Sequence, residues 1–96
     1  MAVQYAEAGV TADLTVLVPR DAAGGLEGGT RNLLERIDGV EVREIDVTGV
    51  RPRLNDLAVE AEVDLAVTVE SGDDLEVVAR ETLAEGFGVT VEAVDV

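Results

Sequence analysis

The chain has no cysteine, no histidine, no tryptophan and no lysine. Each absence removes a kind of chemistry. Without cysteine there is no disulfide framework, no thiolate metal centre and no cysteine nucleophile. Without histidine or lysine there is no imidazole base and no Schiff-base amine. Tyr5 and Phe87 are the only aromatic residues, too few to make a stacking platform for nucleic-acid bases. Seven arginines stand against 21 acids, so there is no basic face to displace counterions from a phosphate backbone. Nucleic acid is not expected as a partner. Charges interrupt every apolar run, so no segment reads as a membrane span. Residues 1–10 lack a basic start and a continuous apolar stretch, which predicts no targeting leader and a cytoplasmic location.

What is present is an acidic chain that can still bury a core. It is 47% hydrophobic over 96 residues, enough for one domain, 1–96. A net charge of −14 strains a compact fold by self-repulsion unless cations, a basic partner or concentrated salt relieve it. The acids are spread along the whole chain, and valine and alanine stand in place of aromatics. That pattern favours salt: the cytoplasm of an extreme halophile, where the Debye length is roughly 3 Å or less.

Residues 57–70 read LAVEAEVDLAVTVE. Every odd position is apolar and most even positions are polar, the alternation of a strand with one buried and one wet face. Val10, Ala12, Leu14, Val16 and Val18 alternate likewise, ending at Pro19. Val40, Val42, Ile45 and Val47 form a further strand whose phase slips near Arg43 or Glu44, predicting a bulge. Val89, Val91 and Ala93 predict a last strand. Leu75, Val78, Ala79 and Leu83 have helical spacing within residues 73–85, with Ser71 or Asp73 as cap and Gly86 as stop. Leu26, Leu33, Leu34 and Ile37 mark an earlier helix, expected to start at about Leu26 or later and to run to about Asp38. Gly24, Gly25, Gly28 and Gly29 weaken its beginning.

An internal repeat organises these elements. Offset by 49 positions, residues 12–47 overlay residues 61–96 without a gap, with 11 identities in 36 positions. Ala12/Ala61, Leu26/Leu75, Arg31/Arg80, Leu34/Leu83, Gly39/Gly88 and Val42/Val91 are among them. Each half is a strand–helix–strand unit. Right-handed crossovers then predict an α+β, ferredoxin-like βαββαβ sandwich: a four-stranded antiparallel sheet in the order 4-1-3-2, with both helices on one face. Asp13, Thr15, Glu60, Glu62, Asp64, Thr90 and Glu92 would line its other face.

The glycine-rich turn between the first strand and helix, residues 21–30, is the foremost candidate site. Glycines let a backbone approach a ligand, and a helix N-terminus offers free N–H groups. Gly24, Gly25, Leu26, Gly28, Gly29 and Thr30 are the candidate ligand-binding residues. The segment echoes a phosphate loop but lacks its lysine, and Asp21 and Glu27 repel phosphate. The bland alternative is a flexible connector. Arg51 and Arg53 form the only basic cluster, readable as an anion or partner contact or as two solvated loop residues. Residues 71–74 read as a helix cap, or as a second ligand or cation loop without a recognisable spacing of oxygens. Glu60, Glu62 and Asp64 share a face but continue a regular alternation, so they read as solvated surface rather than as a catalytic pair or metal site. No metal, cofactor or catalytic constellation is predicted.

Residues 16–42, VLVPRDAAGGLEGGTRNLLERIDGVEV, resemble the opening of ACT-type regulatory domains. Those have a strand ending in a proline-containing turn, a glycine and leucine starting a helix, and a Gly-Val-x-Val return. The resemblance implies a small effector, such as an amino acid, bound at the turn near Gly24, Gly25 and Leu26, usually across a dimer interface. The turn here is longer and carries two extra glycines. The leading expectation is therefore a non-enzymatic regulatory module, homodimeric, with a small-molecule effector. The alternative is a structural or protein-interaction subunit that pairs through a sheet edge or face, with the second strand as the available edge.

Overall fold

The computed structural model describes residues 5–96. The elements run β1 (Tyr5–Pro19), α1 (Gly25–Glu35), β2 (Val40–Pro52), β3 (Asp56–Glu70), α2 (Leu75–Ala84) and β4 (Val89–Asp95). The four strands form one antiparallel sheet in the order β2-β3-β1-β4, which counted from the opposite edge is 4-1-3-2. The central pair, β1 and β3, is 15 residues long on each side and pairs without a register shift from Tyr5↔Glu70 to Pro19↔Asp56. This uninterrupted ladder makes the molecule elongated, 49 × 21 × 19 Å. Strict period-two patterning produces it, because one slipped residue would turn every valine to water.

The core lies on one face of that ladder. Val10, Ala12, Leu14, Val16 and Val18 of β1 and Val59, Ala61, Val63, Leu65 and Val67 of β3 are buried. Leu34 of α1 and Ala79 and Leu83 of α2 close over them in the same cluster. Burying a side chain such as Leu34 stabilises by about 1.5–3 kcal/mol relative to leaving it exposed. Repeat-related positions do equivalent work: Leu34 and Leu83 are both fully buried, as are Thr30 and Ala79.

Each helix leaves through a left-handed glycine. Gly39 has φ +84° and Gly88 has φ +72°, a region costly for residues with a Cβ. The carbonyl of each accepts a central-strand N–H, from Thr68 at 2.9 Å and from Leu17 at 3.0 Å. The repeat is visible in space as well. Asp13 pairs directly with Glu62, its equivalent 49 positions on. In the helix layer Ile37 meets its equivalent Gly86, where a Cβ would come within 2.6 Å of the Ile37 Cδ1. A pseudo-two-fold axis therefore passes between these two pairs, and Gly86 is small because Ile37 fills its space.

Several boundaries differ from the sequence reading. Helix α1 starts at Gly25 and stops at Glu35, so Gly28 and Gly29 are helical rather than looped. Packing overrides propensity here, because Gly29 lies against Val18 of β1. Helix α2 is shorter than residues 73–85, and its cap is Asp74, which accepts from the Val77 N–H at 3.3 Å. Asp73 instead accepts from the Glu70 N–H at 3.1 Å and shapes the turn before it. The slip in β2 is a bulge with Arg43 as the extra residue, and a second bulge at Thr48 lets the strand continue to Pro52. In β4 the extra residue is Glu92, so Val94 turns toward the core and Ala93 turns away from it.

Candidate functional site

The glycine-rich segment divides into two parts. Gly24 is the N-cap of α1 in a left-handed conformation (φ +81°), and no side chain caps the helix there. Gly25 (φ +70°) has open space where its Cβ would project. These two form the free end of the turn. The other four candidates are turned into the helix. Leu26 packs against the core cluster. A Cβ on Gly28 would sit 3.1 Å from the Ala23 carbonyl oxygen. Gly29 is buried against β1, and a Cβ there would lie 2.5 Å from the Val18 Cγ1. Thr30 is fully buried, with its hydroxyl donating to the Leu26 carbonyl at 2.7 Å. Gly29 thus brings α1 close to the sheet and Gly28 leaves room for the turn before it, packing reasons for glycines in a helix.

Arg51 and Arg53 each have an acidic neighbour within the chain. Arg51 Nη2 lies 3.4 Å from Glu60 Oε1, and Arg53 Nε lies 3.3 Å from Asp56 Oδ1. The Arg53 backbone N–H also donates to the Asp56 carbonyl at 2.9 Å, and Arg20 donates to the Arg53 carbonyl. These contacts close the β2–β3 turn. Exposed pairs of this kind contribute little each, and both guanidinium groups remain largely exposed.

The open face of the sheet carries a lattice of acids. Asp46, Glu62 and Asp13 stand side by side on β2, β3 and β1. Glu44, Asp64, Thr11 and Asp95 form the next row across all four strands. Neighbouring strands are about 4.8 Å apart, so like charges face each other directly, an unfavourable arrangement in dilute buffer. Threonines tie some of the carboxylates down. Thr11 donates to Asp64 at 2.7 Å, and Thr15 donates to Glu92 at 3.1 Å. Among the described residues no three acids converge in a metal-holding group.

Arg43 is the residue the sequence reading missed. As the extra residue of the first β2 bulge it reaches over the sheet, with its Nη1 3.8 Å from where a Gly9 Cβ would stand. It borders a depression of about 570 Å³ that crosses all four strands, among Thr11, Glu44, Asp64 and Asp95. The phase slip at residues 43–44 was the signal available in the sequence. It located the bulge but not the direction of the side chain.

The β2 edge is guarded. Arg31 of α1 donates to the outward Val42 carbonyl at 3.0 Å, and the Val42 N–H donates to Glu35 at 3.4 Å. With two bulges as well, this edge is poorly suited to accept another strand. Among the described residues no helix is long and apolar enough to cross a membrane. No protein-family model, no curated protein and no solved structure matches this chain.

Proposed function

We propose that this protein is a non-catalytic binding module of ferredoxin-like architecture, built for a salt-rich cytoplasm, that engages a partner protein through the open face of its sheet. One observation carries this reading. The uncovered face holds the 570 Å³ depression with Arg43 set among Glu44, Asp64 and Asp95, whereas much of the glycine-rich segment is consumed by packing. Rows of carboxylates on a rigid ladder suit a partner that presents arginine or lysine side chains at matching strand spacing. Such complementarity sets encounter rate and register more than raw affinity. Arg43 would fix orientation by rejecting a cation at its own position. The missing histidine, cysteine and lysine support a binding role over a catalytic one.

The test is cross-linking in concentrated KCl with the wild-type chain and with a Glu62→Gln/Asp64→Asn variant. A partner captured by the first and lost by the second supports the proposal. Capture that ignores the variant refutes it. A second reading, effector binding as in ACT-type domains, keeps support from Gly25, which faces open space beside uncapped N–H groups of α1. A melting shift with an amino acid or metabolite that Gly25→Val abolishes would favour it.

A further inference from the structure

Phe87 is the chain's only phenylalanine and it is 93% exposed. A chain with two aromatic residues would gain most by burying this one, since a phenylalanine removes about 150–250 Å² from water. Instead a tight turn holds it outside. The Glu85 and Gly86 N–H groups donate to Thr82 and Leu83 at 3.2 and 3.1 Å, and Val89 donates to Gly86 at 3.3 Å. The ring is presented, not left loose. Beside it lies a groove of about 460 Å³ where the C-terminal ends of the two helices meet, lined by Leu33 and Ile37. Arg36, Asp38 and Glu85 stand on its rim. Among the described residues the ion pairs are Arg51–Glu60 and Arg53–Asp56, so these three rim charges have no ion-pair partner among the described residues.

An apolar knob beside an apolar hole, with both charge signs on the rim, is the signature of a self-complementary patch. Under a two-fold axis each Phe87 enters the other copy's groove, and each Arg36 meets the other copy's Glu85. We infer that the occupant of this groove is a second copy of the chain, docked isologously through the helix ends. Two rings and the grooves that receive them cover roughly 500–700 Å², below the size of stable interfaces and in the range of transient encounters. The dimer is therefore weak and concentration-dependent. It uses the helix side of the molecule and leaves the sheet face free, so it stands or falls apart from the binding role proposed above.

Sedimentation equilibrium in 0.5 M KCl, up to roughly 1 mM chain, tests it. The wild type is expected to show a monomer–dimer equilibrium. Phe87→Ser, at an exposed position and harmless to folding, should weaken association at least tenfold. Arg36→Glu should weaken it as well, and Arg36→Glu/Glu85→Arg should recover it. A monomeric wild type, or a Phe87→Ser chain that associates like wild type, overturns the inference. Failure of the reversed charges to recover association overturns the two-fold docking. None of these results touches partner capture by the sheet face, whose variants lie on the other side.

Discussion

Neutralising Glu62 should stabilise the protein in dilute buffer and do almost nothing in concentrated salt. Glu62 is flanked by Asp13 on one neighbouring strand and Asp46 on the other. Each facing like-charge pair costs about 0.2–1 kcal/mol. A direct Coulomb estimate for two charges some 5 Å apart in water falls in the same range, at about 0.8 kcal/mol. Glu62→Gln removes both pairs and keeps the side chain's shape, so the expected gain is about 0.5–2 kcal/mol. For a domain of this size a gain of 1 kcal/mol raises Tm by roughly 4–8 °C. In 1 M KCl the Debye length is about 3 Å, shorter than the separation, and the gain should fall below about a third. The assay is urea unfolding with thermal melts at low and high KCl; guanidinium is unsuitable because it screens charge itself. Glu7→Gln is the control, since Glu7 faces Thr68 and no acid. If Glu62→Gln gains no more than Glu7→Gln in dilute buffer, or keeps its gain in 1 M KCl, the facing acids are not what strains the sheet.

Two other outcomes follow from the geometry. Gly29→Ala should lower Tm by several degrees, because the added Cβ meets Val18 at 2.5 Å and overpacking costs about 1–3 kcal/mol. A rise of about 1 kcal/mol, the usual helix-interior gain of alanine over glycine, would show that α1 can lift from the sheet freely. The Tyr5 phenol should titrate above its ordinary value, because Glu70 accepts its hydrogen bond and its negative charge opposes phenolate. The folded state then binds the proton more tightly than the unfolded one, so this contribution is present below the ordinary tyrosine pKa and lost as pH rises through the folded value. With one tyrosine and no tryptophan, absorbance near 295 nm reads it directly. Glu70→Gln should bring the midpoint down, and an unchanged midpoint would remove Glu70 as the cause.

Fold and surface were legible in the residues to very different degrees. Alternation in residues 57–70 and 10–18 is local and dense, because side chains in a strand must alternate. It therefore located β3 and most of β1, and the repeat supplied the remaining order of elements. The acid-bearing face of β3 followed from the same parity. What the one-dimensional pattern does not carry is cross-strand and cross-layer proximity. Gly29 reads as a helix breaker until Val18 is seen beneath it. Asp73 and Asp74 are equivalent as letters, and the turn geometry assigns one to the Glu70 N–H and the other to the cap. Glu92 reads as one more wet position, but as a bulge it exchanges Ala93 for Val94 at the core. Arg51 and Arg53 look like free cations until Glu60 and Asp56 are placed beside them. The rows of facing acids, the reach of Arg43 and the groove beside Phe87 depend on register and helix offset. Tertiary packing alone decides those, because residues far apart in the chain become neighbours only when strands align and helices meet.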